Sequence, residues 1–443
     1  MIASHPLPVS IIYRSMKSLT PNPHNSRTHS KKQRNLIAKS IETFGFLNAV
    51  LIDEKGMIIA GHGRVEAAKL LGMDQVPTIC IEHLAPDQVR AYILADNKLA
   101  ELAGWDREML AIELQHLFTL EDVFDIAITG FEVPEIDLIL GEGKRKSDPE
   151  DDFAADEEGP SVTELGDLWK LGKHRLLCGN ALKRDSYSDL MDKRRASAVF
   201  TDPPYNVPIN GHAGGKGKIQ PREFAMAVGE MSEPEFISFL STVFGWLCRY
   251  SADGAVHFIF MDWRHLHEIL AAGRQAYDSL LNLCVWSKDA PGMGSFYRSQ
   301  HELVFVYRNG KGQHRNNIQL GKFGRNRSNI WEYPGIQTQS RQSDEGNLLA
   351  LHPTVKPIAL VADALLDCTA RGEIVLDAFL GSGTTLIAAE RVGRVCYGIE
   401  LDRRYVDTVI RRWQRHTGDH AIHGVSGRRF DDVASDTLEA NRA

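Results

Sequence analysis

The chain has 443 residues, 43% of them hydrophobic and 25% charged, with a formal net charge of −7, a soluble globular composition that at ~100–200 residues per domain implies two or three domains. Nothing approaches the ~18–20 apolar residues of a membrane span, and the N-terminus lacks the charged-then-apolar order of a secretory signal, so a cytoplasmic protein without a membrane partner is expected. Six cysteines stand far apart with no C-x-x-C pair, which argues against a zinc knuckle or a disulfide framework and predicts reduced thiols and no metal.

The first ~100 residues read as a small mixed α/β unit. Leu36, Ile37, Ile41 and Phe44 fall at helical spacing, with Gly45 as a C-cap. The stretch "AVLIDEKGMIIAG" predicts two short strands joined at Glu54-Lys55-Gly56. A helix starts directly after Gly61, a strand-like piece "QVPTICIEHL" follows, and the pattern from Pro86 to about Leu140 is mostly helical.

Residues 141–163 are acidic and poor in large apolar side chains, and their first twenty carry eight acids against three bases. They are expected to form a flexible linker, because such a composition buries too little surface to fold. By contrast, residues 308–327 contain six Arg or Lys and no acid, a candidate phosphate-contacting stretch.

From about Glu164 to His416, strands alternate with helices: "AVFTDPP", "AVHFIFMD", "LNLCVWSKD", "ELVFVYR", "EIVLDAFLGSG" and "VCYGIELD". This predicts a doubly wound α/β domain with a mixed sheet covered on both faces. The tail beyond residue 417 is polar and expected to be loose.

Two strand ends carry chemistry. In "AVFTDPPYN" a buried strand ends in Asp202-Pro203-Pro204-Tyr205. The proline pair fixes φ and removes two donors, leaving a rim of acceptors, the Asp202 carboxylate and the Pro203 carbonyl, beside the flat face of Tyr205. Such a rim suits a planar group bearing an exocyclic NH₂. The alternative is a cis-proline turn with a capping aspartate. In "EIVLDAFLGSGTT" a strand ends in Asp377, the glycines Gly381 and Gly383 follow, and a helix begins near Thr384. The next strand ends in Glu400, placed to hold a ribose by its hydroxyls.

Together, Asp202 to Tyr205 and Phe379-x-Gly381-x-Gly383 resemble the target-base motif (D/N/S)PP(Y/F/W) and the cofactor motif FxGxG of the amino-methyltransferases of DNA. The order of the two motifs matches the permuted β class, over roughly residues 164–417. The resemblance implies S-adenosyl-L-methionine as methyl donor, double-stranded DNA as partner, and transfer to a flipped base. Aspartate in the first motif position favours adenine N6, with cytosine N4 as the alternative. It further implies cofactor contacts from Asp377, Phe379, Gly381, Gly383, Thr384 and Glu400. The element "HPTVKP" adds His352 and Lys356, and "HRLLCGNAL" adds Asn180 where the family usually carries an acid. The recognition region, about 308–350 and preceded by "YRSQHELVFVYRNG", contributes Arg298, His301, Lys322, Arg325 and Arg327 as DNA contacts. A restriction-modification or phage and prophage setting is in keeping with the resemblance, and a homodimer is left open.

Residues 1–105 resemble the ParB-like domain family, which is related to chromosome-partition proteins and to sulfiredoxin. The carriers are the turn Gly61-His62-Gly63-Arg64, then Ala67, Ala68, Leu71 and Gly72. In relatives this turn holds a nucleotide phosphate at a helix N-terminus. The cysteine of sulfiredoxin is absent from the turn. "GHGR" and "LADNKLAE" replace the arginine-bearing motifs of partition proteins, so an accessory or DNA-binding role is expected rather than CTP hydrolysis. Residues 106–140 would be a helical extension of this unit. A non-catalytic ParB-like DNA-binding factor with a relic methyltransferase domain is the competing reading.

Overall fold

A computed structural model describes residues 10–119, 126–141, 161–207, 229–291, 296–318, 327–335 and 356–440. The chain forms two compact units, Met1–Leu140 and Gly141–Ala443.

In the first unit, strands β1 (Ile12–Ser15), β2 (Val50–Ile52), β3 (Ile58–Ala60) and β4 (Gln75–Cys80) form one sheet in the order β1-β4-β2-β3. Helix α1 (Lys31–Phe44) ends at Gly45, whose φ of 84° suits a residue without Cβ. Helix α2 (His62–Leu70) begins at Gly61, and α3 (Pro86–Leu102), α4 (Arg107–Thr119) and α5 (Val133–Gly141) follow. Val50, Ile52, Ile58, Val65, Ala68 and Val76 build the core beneath the sheet. Leu114, Ile136 and Ile139 form a separate small cluster between the last two helices.

The second unit is a ten-stranded mixed sheet. Its strands are β5 (Leu168–Leu171), β6 (His174–Cys178), β7 (Ala196–Thr201), β8 (Ser251–Met261), β9 (Ser279–Ser287), β10 (His301–Arg308), β11 (Ile330–Glu332), β12 (Ile374–Asp377), β13 (Val395–Glu400) and β14 (Ile422–His423). They lie in the order β11-β9-β10-β8-β7-β12-β13-β6-β5-β14. Strand residues alternate between two apolar clusters, one on each face: in β7, Ala198 and Phe200 join one cluster while Val199 joins the other, and the irregularity between Ala196 and Ala198 turns Ala196 to the second as well. Helices α6 (Arg184–Met191), α7 (Glu233–Arg249) and α8 (Leu266–Ala276) pack on the second face. Helices α9 (Ile358–Cys368), α10 (Thr384–Arg391), α11 (Arg403–Thr417) and α12 (Phe430–Ala440) pack on the first.

Strand β7 pairs in parallel with both β8 and β12, and β12 with β13. The chain therefore leaves β7 towards one edge of the sheet and leaves β12 towards the other. Adjacent parallel strands whose connections diverge open a crevice beyond their carboxyl ends. Both sequence corners lie there.

Two expectations need correction. Residues 418–440 of the tail expected to be loose are ordered: β14 pairs with β5, and Phe430 is buried edge-on against Trp169 at 5.3 Å; residues 441–443 lie outside the described residues. Ala421 and Phe430 enter the core with Val433 and Ala434 packed against it, and His423 also meets the Trp169 ring; so few apolar residues among polar ones are easily overlooked in the sequence. The linker also ends early, because the Val162 and Thr163 amides donate to the Asp407 carboxylate at 2.7 and 3.1 Å; residues 142–160 lie outside the described residues. Among the described residues no helix is long and apolar enough to cross a membrane, and no group of His, Cys, Asp or Glu could hold a metal.

Candidate active site

The two corners are joined by a direct bond. Thr201, the last residue of β7, donates from Oγ1 to Asp377 Oδ1 at 2.8 Å. Thr385 Oγ1 donates to the other oxygen at 2.7 Å, and the Phe379 amide adds a third donor at 3.0 Å. Asp377 thus uses both oxygens to clamp the glycine loop to β7. Burial pushes its pKa up to about 6 despite those donors. Replacing Thr201 by Val leaves a buried carboxylate one donor short. The expected loss is about 1–3 kcal/mol, read as a lower denaturant midpoint at unchanged m-value.

Beyond Asp377 the loop needs its glycines. Gly381 and Gly383 have φ of 54° and 88°, and a Cβ on Gly383 would lie 2.8 Å from Val409 Cγ1. The Gly381 amide donates to Glu400 Oε2 and the Asp402 amide to Oε1, both at 2.8 Å. Burial raises the Glu400 pKa to about 7 against these two bonds. An acidic side chain closing β13 beside a tight glycine loop is the donor and acceptor set that a ribose and its nucleoside fit. Phe379 borders the same loop, its ring 6.1 Å from that of Phe239. Asn180 follows β6 on this edge; its Oδ1 accepts the Leu182 amide at 2.8 Å, which leaves the Nδ2 donor for a ligand. Thr384 points elsewhere: its hydroxyl meets Arg412 Nη1 at 3.3 Å under the loop, so its side chain braces the turn rather than facing the crevice.

Around Asp202 lies a network that sequence reading did not anticipate. Asp202 Oδ1 accepts the Tyr205 hydroxyl at 2.6 Å, and Oδ2 is paired with the Lys356 ammonium. Tyr205 also contacts Glu302 Oε2 at 3.1 Å, and Lys356 lies 3.1 Å from the same oxygen. Lys288 completes the chain at 2.5 Å from Glu302 Oε1. The Lys356 ammonium sits among aromatic faces, 4.9 Å from the Phe260 centroid and 5.9 Å from those of Tyr205 and Trp286. No cis peptide occurs among the described residues, so the proline pair is not a cis turn.

Burial alone would lower the Lys356 pKa, but Asp202 and Glu302 outweigh it and hold the ammonium above its ordinary value. Glu302 is driven up by burial yet pulled down to about 2 by Lys356 and Lys288 together. Asp202, with one ammonium rather than two, shifts the other way: burial raises it more than Lys356 lowers it. The motif resemblance implies a cofactor contact for Lys356; the fold sets its ammonium on Asp202. One signal for Glu302 was legible, since an acid inside the apolar run "HELVFVY" is rarely buried without a partner.

The expected DNA contacts divide. Arg298 is exposed beside the two aromatic residues Phe296 and Tyr297, with Nη2 on the Pro291 carbonyl at 3.0 Å. His301 opens β10, half-buried, opposite Ser287. Arg327 is a brace instead: it pairs with Asp367 at 3.2 Å and Asp363 at 3.4 Å and meets the Tyr333 hydroxyl at 2.7 Å. Two acids on α9, invisible to a local reading of the basic stretch, claim it. Lys322, Arg325 and His352 lie outside the described residues.

In the first unit, the Gly61–Arg64 turn starts α2 as expected, but its polar side chains face inward partners. His62 Nε2 accepts the Asn22 amide at 3.2 Å, and Arg64 Nη1 donates to the Asn48 and Ala49 carbonyls at 2.7 and 3.2 Å. A Cβ on Gly63 would lie 3.0 Å from the His29 ring.

Comparison with known proteins matches residues 196–411 to the DNA methylase family of the N6/N4 type, residues 9–98 to the ParB N-terminal domain and residues 108–165 to the ParB-methyltransferase HTH domain. The last match covers the expected helical extension, where α4 and α5 form, together with the stretch expected to be a linker. Over 80 residues, 18% of this chain, the sequence is 52% identical to the ParB-like nuclease domain-containing protein YnaK of Escherichia coli strain K12 and covers 92% of it. A 95-residue stretch is 30% identical to the type II methyltransferase M.ScaI of Streptomyces caespitosus; it spans 21% of this chain and 31% of that protein. The crystal structure of the M1.HpyAVI–SAM complex aligns over 54% of this chain and 98% of its own, at 20% identity and a TM-score of 0.37.

Proposed function

This chain belongs to the N6/N4 DNA methylase family, behind a ParB N-terminal domain and a ParB-methyltransferase HTH domain, and from that premise we propose that it moves a methyl group from S-adenosyl-L-methionine to adenine N6 of an extruded base in double-stranded DNA. The observation that carries this reading is the Thr201–Asp377 bond, which sets the acceptor rim and the nucleoside-type loop side by side at the switch point.

S-adenosyl-L-methionine would supply an electrophilic methyl carried on a sulfonium. Glu400, the loop from Phe379 to Gly383 and the Asn180 amide are the residues to hold it. Flipping a base costs a few kcal/mol, and stacking on an aromatic face returns about 1–3 kcal/mol. Asp202 and the Pro203 carbonyl then accept the two amino hydrogens, so the nitrogen lone pair stays unshared. As the nitrogen took the methyl, the carbon–sulfur bond would break with its electron pair left on the neutral thioether; the adjacent Asp202 carboxylate would oppose the positive charge on nitrogen until its proton passed to solvent water. The aspartate, rather than a serine, in the first motif position supports adenine. We assign the N-terminal unit an accessory DNA-binding role.

Transfer of tritium from labelled cofactor to unmethylated duplex tests the activity, and modification-sensitive sequencing of DNA from expressing cells names the base and its context. DNA left unlabelled would refute the reading. We assign Arg298, exposed just ahead of Glu302, a phosphate contact. Arg298→Glu is expected to weaken duplex binding at every sequence and to reduce the slope of log K against log salt by roughly 1, measured by fluorescence titration.

A further inference from the structure

The Lys356 ammonium occupies the place on Asp202 that a target amine must take. It is a nitrogen donor on the carboxylate, surrounded by the aromatic faces of Tyr205, Phe260 and Trp286. Its side chain is only 5% exposed, so it has no route to water when displaced. A buried ammonium left without an anion is strongly unfavourable. What makes displacement feasible is a second acceptor already in contact: Glu302 Oε2, 3.1 Å from the same nitrogen.

We propose that Glu302 is a positioning residue for methyl transfer: it retains Lys356 while the target amine replaces Lys356 on Asp202. The inference rests on the reading of the site given above. Its geometry is specific. Glu302 bridges the two ammoniums, with Lys288 fixing one oxygen at 2.5 Å. The other oxygen serves both Lys356 and the Tyr205 hydroxyl. Two carboxylates thereby face two ammoniums. Without the Glu302 charge, one carboxylate would face both, Lys356 would not release Asp202, and an excess positive charge would stand beside a nitrogen that itself becomes positive in the transition state.

The test uses the full chain, with Glu302→Gln removing the charge at constant shape and Glu302→Asp keeping it. Single-turnover methyl transfer to unmethylated duplex is measured alongside DNA and cofactor affinity. Separately, without substrate, Lys356 is acylated with acetic anhydride and quantified by mass spectrometry. E302Q is expected to slow transfer roughly thirtyfold with both affinities within about twofold of wild type, E302D to recover most of the rate, and Lys356 to acylate several-fold faster in E302Q than in wild type. A wild-type rate in E302Q, a loss confined to affinity, or unchanged Lys356 acylation would overturn the proposal. A wild-type chain that methylates nothing would instead refute the reading of the site, and the acylation comparison would then decide by itself whether Glu302 holds Lys356.

Discussion

Asp202→Ala is expected to cut methyl transfer by about 10²–10³ or more while leaving S-adenosyl-L-methionine affinity within about twofold of wild type. The reason is a division of labour between neighbouring strand ends. Asp202 closes β7 and accepts from Tyr205 and Lys356, whereas the nucleoside-type loop is held by Asp377 and Glu400 on β12 and β13. The Thr201–Asp377 bond that ties the corners survives the substitution, and Lys356 keeps Glu302, so the fold is not left with an unpaired buried charge. Tritium transfer and isothermal calorimetry on one preparation check both halves. Loss of cofactor binding in a folded D202A protein would contradict the assignment, because the rim would then belong to the cofactor site.

Glu400→Gln should weaken cofactor binding by roughly ten- to a hundredfold, since two ribose hydroxyls need two accepting oxygens and an amide offers one. The same residue predicts a pH dependence. Burial holds the Glu400 carboxyl at a pKa of about 7, so below that pH the group is mostly protonated and must lose a proton to accept both hydroxyls. Cofactor affinity is therefore expected to rise about tenfold per pH unit up to about 7 and to level off above it. The sign for stability is opposite: a carboxyl whose folded pKa is raised favours the folded state while protonated, so the protein measured without added cofactor loses stability as pH rises from the ordinary carboxylate range towards 7. Calorimetric titrations between pH 6 and 8 on wild type and E400Q separate the two, because the variant should lose the slope.

Local chemistry made much of this chain readable. The proline pair behind Asp202 and the glycines around residue 381 are backbone requirements, and such requirements are written at the positions that bear them. The six strands named in the methylase half all form: β7, β8, β12 and β13 pair in parallel and, covered on both faces, need continuous apolar runs, while β10 is an apolar run antiparallel to both its neighbours. The hairpin at Glu54–Gly56 is legible for the same kind of reason, a turn residue between two short apolar runs. Arg327, by contrast, looks from its neighbours like part of a basic stretch, and only the arrival of Asp363 and Asp367 on α9 makes it a brace. Residues 418–440 read as loose, yet Phe430 finds the Trp169 ring on a strand some 260 residues earlier.

What the sequence by itself determined, then, is which strands exist, where they end, and that one end carries an acceptor rim and another a glycine loop. The tertiary structure decided that β7 lies beside β12, so that Thr201 meets Asp377, and that β9, β10 and the start of α9 bring Lys288, Glu302 and Lys356 around Asp202. The physical reason is that hydrophobic periodicity and turn chemistry act over a few residues, whereas charge pairing in the interior depends on strand order, and strand order is settled only when the whole sheet closes over its two cores.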